Sequence, residues 1–347
     1  MHEARTLLPP PSPLVPGTEG TGPLADTYGR RVDYLRLSVL DHCNLRCRYC
    51  MPACPSGFLA PNEWLTFDDI VFLLSTATTL GVKRVRLTGG EPLLRPGLAD
   101  LIGRIRAETS IAEVSLTTNG ILLEQHAEAL ARAGLARLNV SIDSLDEGRF
   151  QAITRRSGLD KVWAGVDAAR NAGLKPIHIN NVVMAGLNDD EIDGWVERTL
   201  KDDITIRFLE IMPIGEALRP ESGVHFVDVS SVRHRLIERY GLVPVATRTG
   251  SGPARYWRVP DSPGLVGFIT PVSDHYCDTC NRFRISATGV LRPCLAWDHG
   301  IPLRDAIRAR DRAAVVAGLR EAARVKPAGH RWREGAQTQD HMFQLGG

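Results

Sequence analysis

Short segments in which hydrophobic and polar residues alternate recur along the first two thirds of the chain, a pattern typical of β-strands. In the first of them, Leu35, Leu37 and Val39 share one face, whereas Arg36 and Ser38 share the other. The segments predicted to be strands are Tyr34–Leu40, Arg84–Thr88, Glu113–Thr117, Arg137–Ile142, Ile177–Val183 and Ile204–Leu209. Each strand should therefore have one apolar face against a core and one polar face elsewhere.

Amphipathic segments with helical spacing separate these strands. The segments predicted to be helices are Phe67–Leu80, Leu98–Glu108, Glu124–Ala133, Leu159–Ala172 and Asp190–Leu200. Several end next to a glycine, as helices often do. Strand and helix alternating six times predict a parallel sheet with crossover helices.

The polar strand faces indicate the shape of this sheet. Strands covered by helices on both sides are usually apolar throughout, whereas these keep one polar face. That face carries mainly Arg, Thr, Ser, Asn and His, and not the Lys and Glu that an ordinary solvent-facing sheet tolerates. The pattern favours a curved, partly closed α/β barrel whose concave side is a polar ligand channel.

The pattern changes after Gly215. A helix is predicted at Val229–Tyr240, strands and loops between Gly241 and Leu295, and helical structure at Pro302–Val325. The predicted organisation is a disordered leader over residues 1–29, a barrel over 30–225, an extension over 226–327 and a tail over 328–347. The length fits two domains or one barrel with an extension.

Composition excludes several classes of function. The 347 residues are 43% hydrophobic and 24% charged, with a net charge of +2, so neither nucleic acid nor an anionic membrane is an expected partner. No apolar run is long enough to span a bilayer, and the leader lacks the features of a secretory signal. A cytoplasmic location follows, where thiols stay reduced and seven cysteines call for a metal or catalytic explanation.

Six of the seven cysteines form two triplets. Cys43, Cys47 and Cys50 are spaced Cys-x3-Cys-x2-Cys, whereas Cys277, Cys280 and Cys294 are spaced Cys-x2-Cys-x13-Cys; Cys54 is left over. Structural zinc takes four ligands, and iron–sulfur clusters normally take four thiolates. A four-iron cluster held by three thiolates has one iron open to a substrate, so two such clusters imply two different ligands.

The segment from Leu40 to Pro52, which carries the first triplet, resembles the signature of radical S-adenosylmethionine enzymes. Thr88-Gly89-Gly90-Glu91-Pro92 is similar to the segment that meets the methionine end of that cofactor. This resemblance implies a four-iron cluster at the first triplet and S-adenosylmethionine bound to its open iron.

The second triplet resembles a particular family within that superfamily. The segments Cys277–Ser286 and Leu291–Leu295 are similar to the C-terminal cluster segment of the GTP 3′,8-cyclases. Residues 117–120, 139–143 and 207–212 and the terminal Gly346-Gly347 match the family in order. The resemblance implies an incomplete (α/β)6 TIM-like barrel whose C-terminal extension closes the barrel and carries a second four-iron cluster.

The resemblance also implies roles for individual residues. Contacts to S-adenosylmethionine are expected from Tyr49, Gly90, Ser141 and Met212. Contacts to GTP are expected from Arg36, Arg86, Thr117, His178, Arg282, Phe283 and Arg284. Catalytic roles are expected for Arg36, Arg282, Arg284, Gly346 and Gly347, with the Gly-Gly end reaching the active-site channel and residues 338–345 acting as a flexible tether. Guanidinium groups suit this substrate because they bind phosphate bidentately and stay charged when buried.

Two positions depart from the family pattern. The family usually has Lys at the position of His178, so a charged phosphate contact there is in doubt. Arg84 replaces a common Lys, which should preserve the charge.

The implied activity is conversion of GTP to (8S)-3′,8-cyclo-7,8-dihydroguanosine 5′-triphosphate in molybdenum cofactor biosynthesis. A deoxyadenosyl radical would abstract hydrogen from C3′, and the carbon radical would attack C8 of the guanine. An external electron donor and a downstream pyranopterin-forming protein are the expected partners, and the oligomeric state stays open, with a homodimer among the options.

Two alternatives are a radical enzyme that modifies peptides and carries an auxiliary cluster, and a non-enzymatic zinc or iron–sulfur protein. Peptide-modifying enzymes of this kind usually carry more than three auxiliary cysteines, and a structural protein would not need an arginine-lined interior.

Overall fold

A sheet of twelve strands forms the frame of the protein. This computed structural model describes residues 22–246 and 252–345. Six strands are parallel neighbours in chain order: β1 (Tyr34–Ser38), β2 (Arg84–Thr88), β3 (Glu113–Thr118), β4 (Arg137–Ser141), β5 (Ile177–Val183) and β6 (Thr205–Glu210). This is the incomplete barrel that the alternating segments predicted.

Helices connect the strands and cover their apolar faces. They are α1 (Phe67–Thr78), α2 (Leu98–Glu108), α3 (Leu123–Arg132), α4 (Glu147–Thr154), α5 (Leu159–Asn171) and α6 (Ile192–Thr199). The α4 helix was not predicted. Leu35, Leu37, Val85 and Leu87 are all 0% exposed beneath the helices, so the apolar side of the alternation is the core side.

The C-terminal extension adds strands to both edges of the barrel. Its strands are β7 (Val243–Val245), β8 (Arg255–Arg258), β9 (Leu265–Ile269), β10 (Arg282–Ile285), β11 (Val290–Arg292) and β12 (Ile301–Pro302). Strand β9 pairs in parallel with β6, and β10 pairs in parallel with β1. The extension therefore flanks the open side of the barrel from two directions.

The remaining helices are α7 (Val229–Tyr240), α8 (Arg304–Arg308), α9 (Arg312–Arg324) and α10 (Met342–Leu345). The helical segment predicted at Pro302–Val325 is two helices, separated where Arg310 adopts a positive φ of 57°. None of the described helices combines the length and the apolar character needed to cross a membrane.

The predicted leader over residues 1–29 needs a correction at its end. The side chain of Leu24 is 1% exposed, and its backbone N–H donates to the carbonyl of Leu80 at 2.8 Å. Asp26 is also buried and binds Arg30 at 2.6 Å. Residues 22–29 thus belong to the packed structure, because an apolar side chain and a buried ion pair anchor them; residues 1–21 lie outside the described part.

Candidate active site

One internal cavity of about 310 Å³ joins both cysteine triplets. The six cysteines of the triplets all line it, whereas Cys54 is exposed and does not. The other predicted site residues that line it are Arg36, Tyr49, Arg86, Gly90, Thr117, Ser141, Met212, Arg282 and Arg284. Residues far apart in the sequence therefore meet around a single space.

Strand register places the two triplets at opposite ends of this cavity. The first triplet follows the carboxyl end of β1, whereas Cys277 and Cys280 precede the amino end of the adjacent parallel strand β10. The five residues of β1 separate the two ends of the cavity, and five residues of extended strand span roughly 15 Å. Arg36 of β1 lies in register with Arg284 of β10, so cationic side chains occupy the intervening space.

The first triplet is held in a buried loop by neutral donors. The Cys43 sulfur accepts from the Leu45 N–H at 3.4 Å and from the side-chain amide of Asn119 at 3.7 Å. Burial raises the pKa of Cys43 to about 11 and that of Cys47 well above its ordinary value. Thiolates at such positions need a cation to compensate them, and iron supplies one.

Glu91 fixes the loops that surround this triplet. Its carboxylate accepts from the Thr118 hydroxyl at 2.6 Å, the Asn119 N–H at 2.7 Å and the Leu93 N–H at 3.0 Å. Burial raises the pKa of Glu91 to about 7, although these hydrogen bonds oppose the rise. Glu91 lines the cavity, but three protein donors already engage its carboxylate.

The structure gives a second reason for glycine at position 90, which the sequence did not reveal. A Cβ built on Gly90 would collide with the carbonyl of His42, whose oxygen accepts from the Glu91 N–H at 2.7 Å. The prediction was that glycine here allows close approach to a ligand. The structure shows in addition that it allows close approach of the chain to the loop of the first triplet.

Tyr49, Ser141 and Met212 line the cavity on the side of the first triplet. The Tyr49 hydroxyl donates to Asp143 at 2.8 Å, and the other carboxylate oxygen of Asp143 accepts from the Val182 N–H at 2.9 Å. Burial raises the pKa of Asp143 to about 6 despite both hydrogen bonds. Asp143 was not predicted as a site residue, and its buried polar pair with Tyr49 becomes apparent only from the fold.

The second triplet has a cationic neighbour. The ammonium of Lys326 donates to the Cys280 sulfur at 3.5 Å. Although burial acts in the opposite direction, Lys326 and then Arg282 lower the pKa of Cys280. Sequence analysis did not identify Lys326 as a site residue, because this lysine follows helix α9 and belongs to no recognisable motif.

Arginines dominate the middle of the cavity. Arg36, Arg86, Arg207 and Arg282 line it, and within the described part of the chain none of the four forms an ion pair with a carboxylate. Burial and then Arg284 lower the pKa of Arg36 well below its ordinary value. Clustered guanidinium groups without counter-ions form a binding site for a polyanion.

Carboxylates near the cavity are already occupied by other groups. Glu210 accepts from the backbone N–H groups of Val272 at 2.7 Å and Ser273 at 2.9 Å. Glu113 binds Arg137 at 2.8 Å. Arg84 binds Asp33 at 2.6 Å and does not line the cavity, so its charge is compensated locally.

Two predicted contacts need correction. Phe283 is 0% exposed within the hydrophobic core, in register with Leu35, because it lies on the face of β10 opposite to Arg282 and Arg284. Its side chain does not line the cavity.

His178 is on the inward face of β5, but it is also 0% exposed and does not belong to the cavity lining. Burial, then Arg207 and Arg86, lowers its pKa to about 2.

The segment before the chain end is docked and does not behave as the predicted flexible tether. The Gly215 N–H donates to the Thr338 carbonyl at 2.8 Å, and Asp340 binds Arg292 at 2.5 Å. Phe343 lines the cavity, and its backbone N–H interacts with the Cys50 thiol. Gly346 and Gly347 lie outside the described residues.

The donor sets fit iron–sulfur clusters better than a single metal ion. Within residues 22–246 and 252–345, no three His, Cys, Asp or Glu side chains come close enough to hold one ion. A tetrahedral zinc site requires its ligands to converge on one point, whereas a four-iron cluster distributes its thiolates over different irons. Three unpaired cysteines at each end of the cavity match the second requirement.

Comparison with known families divides the chain in two. Residues 37–199 match the Radical SAM superfamily, and residues 204–332 match the family described as Molybdenum Cofactor Synthesis C. The first match contains the first cysteine triplet, and the second contains Cys277, Cys280 and Cys294.

Whole-chain relatives agree with this division. A protein of Petrotoga mobilis named GTP 3′,8-cyclase is 41% identical over 93% of this chain and 100% of its own length. A protein of Pseudomonas entomophila with the same name is 42% identical over 92% of this chain and 96% of its own length. Among solved structures, Streptococcus suis SuiB bound to S-adenosylmethionine has a TM-score of 0.60 at 14% identity, covering 90% of this chain and 77% of that one. This last likeness concerns the fold.

Proposed function

Because the chain belongs to the GTP 3′,8-cyclase family of radical S-adenosylmethionine enzymes, we propose that it converts GTP to (8S)-3′,8-cyclo-7,8-dihydroguanosine 5′-triphosphate, a lyase reaction of molybdenum cofactor biosynthesis. The observation that carries the proposal is the single cavity with one cysteine triplet at each end and arginines between them.

Two four-iron clusters would be held by the two triplets. Cys43, Cys47 and Cys50 would bind the first, and Cys277, Cys280 and Cys294 the second. When bound, the first cluster supplies the electron that cleaves S-adenosylmethionine to a 5′-deoxyadenosyl radical. Tyr49, Gly90, Ser141 and Met212 would contact S-adenosylmethionine at this end of the cavity.

The nucleotide would lie between the two triplets. Arg36, Arg86, Arg282 and Arg284 would bind the triphosphate, and Thr117 would contribute a hydroxyl. Positioning is the main task of these side chains, because C3′ and C8 of one molecule must approach each other while water is excluded. Arg36, Arg282 and Arg284 would also orient the reacting nucleotide, with Gly346 and Gly347 completing the site from the chain end.

His178 would have a different role from the arginines of the site. Its imidazole is uncharged and buried among arginines, so it would shape the floor of the site and would not neutralise a phosphate. Phe283 would support the arginines of β10 from the core side.

The proposed partners follow from the reaction. An external electron donor must reduce the first cluster, and a separate pyranopterin-forming protein must use the cyclised product. The thiols and clusters require a reducing compartment, which supports the cytoplasm. A homodimer is compatible with this scheme.

The test is anaerobic incubation of the reconstituted protein with S-adenosylmethionine, reductant and GTP, followed by mass analysis of the nucleotide. We expect 5′-deoxyadenosine together with a cyclised product, and neither in a Cys47→Ala control. If S-adenosylmethionine were cleaved while GTP stayed unchanged, the result would contradict the proposal and favour the alternative of a peptide-modifying enzyme.

A further inference from the structure

Lys326 is an unusual lysine in this protein because its charged end is enclosed. Its residue is 3% exposed, and it is the only lysine among the buried residues that the structure describes. The ammonium donates to the Pro293 carbonyl at 2.6 Å, the Arg282 carbonyl at 3.1 Å and the Cys280 sulfur at 3.5 Å. These acceptors use all three of its N–H groups.

The ammonium has no carboxylate to compensate it. None of the ion pairs among the described residues includes Lys326. Burying an isolated cation is energetically costly, so a compensating negative group is expected close by. Of its three acceptors, only the Cys280 sulfur can carry a full negative charge, which it does when it binds iron.

The chain on both sides of Lys326 holds it against the second triplet. The guanidinium of Arg30 donates to the carbonyls of Ala328 and Cys277, both at 2.7 Å. Gly329 lies so close that an added Cβ would be 3.2 Å from the Cβ of Cys277. The position of the ammonium is therefore built into the structure and does not depend on a mobile side chain.

Among the described residues, no cation donates to a sulfur of the first triplet. The side-chain amide of Asn119 and the N–H of Leu45 are the neutral donors to Cys43, whereas the guanidinium of Arg46 binds the Cys43 carbonyl and not its sulfur. The buried carboxyl groups of Glu91 and Asp143 lie nearby. Hydrogen bonds and charges close to the sulfurs set the reduction potential of an iron–sulfur cluster. The two ends of the cavity thus differ in that a cation contacts a sulfur directly only at the second triplet, among the described residues.

We propose that Lys326 is a positioning residue for the second triplet, which fixes the Cys280 thiolate and raises the reduction potential of the cluster bound there. The inference rests on the proposed function, since it requires that the second triplet binds a cluster. A positive charge beside a sulfur stabilises the reduced cluster, which carries one more negative charge than the oxidised one.

The experiment is a reductive titration of the reconstituted full-length protein, followed by electron paramagnetic resonance without nucleotide or S-adenosylmethionine. The signal that persists in Cys47→Ala identifies the second cluster. The variants are Lys326→Met, which removes the charge at similar length, and Lys326→Arg, which keeps it. Lys161→Met on the exposed surface of α5 is the matched control.

We expect Lys326→Met to lower the midpoint potential of the second cluster and to leave that of the first unchanged. Lys326→Arg should retain most of the original value, and Lys161→Met all of it. If Lys326→Met kept about eight irons per chain and an unchanged midpoint potential, the inference would be overturned, whereas the proposed function would stand. Loss of about four irons in Lys326→Met but not in Lys326→Arg would support the inference, whereas loss in both variants would contradict a role through charge.

If the unaltered protein bound no second cluster, the proposed function would fail together with the inference.

Discussion

Arg86 shows how a single side chain in this protein obtains its role from the strand that carries it. Its neighbours Val85 and Leu87 are buried under the helices, so Arg86 must face the concave side. There it donates to the Ser115 hydroxyl at 3.2 Å and lies 5.8 Å from the Tyr34 ring. None of these contacts neutralises its charge, which leaves it available to an anionic ligand.

We therefore expect Arg86→Ala to weaken GTP binding. Loss of one buried phosphate contact should cost about 2 kcal/mol, or roughly 30-fold in Kd. Equilibrium binding of GTP to the anaerobic protein measures the effect. Arg132→Ala, on the exposed face of α3 and paired with Glu128, is the control. Equal affinities for the unaltered and Arg86→Ala proteins would exclude Arg86 from the triphosphate site.

His178 should make the protein sensitive to acid. Its pKa is about 2 in the folded protein and near 6.5 in the unfolded chain, so the folded state binds fewer protons between these values. Its contribution to stability is therefore fully present above pH 6.5 and is lost as pH falls below that value. The slope is at most about 1.4 kcal/mol per pH unit from this group.

The measurement compares thermal unfolding from pH 7 to pH 5 in the unaltered protein and in His178→Gln, which does not titrate. We expect a flatter pH dependence in the variant. His234→Gln, at an exposed position of α7, should behave like the unaltered protein. Parallel curves for all three proteins would show that His178 is not the group that titrates.

At the scale of elements, the docked segment before the chain end links three parts of the fold. Thr338 pairs with the loop after β6, Asp340 binds Arg292 of β11, and Phe343 reaches the first triplet. The ion pair between Asp340 and Arg292 is partly buried, with side-chain exposures of 33% and 14%. This segment is thus anchored at several points and reaches the cavity through Phe343.

Asp340→Asn should therefore uncouple cofactor cleavage from cyclisation. We expect more 5′-deoxyadenosine per cyclised nucleotide, because the segment that places Phe343 at the cavity is less well held, while the iron content stays unchanged. Glu334→Gln removes an exposed carboxylate from the same segment and is the control. If both variants gave the ratio of the unaltered protein, docking of the segment would have no part in the reaction.

At the scale of the whole molecule, the two cysteine triplets lie at opposite ends of one cavity. The first triplet belongs to the loop after β1, and the second belongs to the extension that flanks β1 through β10. Strand β9 flanks the opposite edge, where it pairs with β6. The proposed function therefore requires both edges of the barrel, since the nucleotide would lie between the two triplets.

Under the proposed function, Cys280→Ala should retain reductive cleavage of S-adenosylmethionine but lose cyclisation. Cys47→Ala should lose both, because cleavage depends on the first cluster. Anaerobic assays of 5′-deoxyadenosine and of cyclised nucleotide distinguish the two variants. Normal GTP turnover in Cys280→Ala would contradict the division between the two ends.

The sequence by itself determined the barrel and its inward face. Period-two alternation places side chains on opposite sides of a strand whatever the surroundings, so Arg36, Arg86 and Arg207 could be assigned from spacing alone. The same rule applied to β10 separates Phe283 from Arg282 and Arg284. The error at Phe283 arose from resemblance and not from periodicity.

Tertiary structure alone decided the contacts between distant segments. Lys326 meets Cys280, Asp340 meets Arg292, and the Leu24 N–H binds the Leu80 carbonyl, each contact joining segments that lie far apart in the sequence. Helix α4 was missed because its apolar positions do not form a regular stripe. Local patterns specify which face a residue occupies, but the backbone path decides which residue lies opposite, and that path depends on long-range packing.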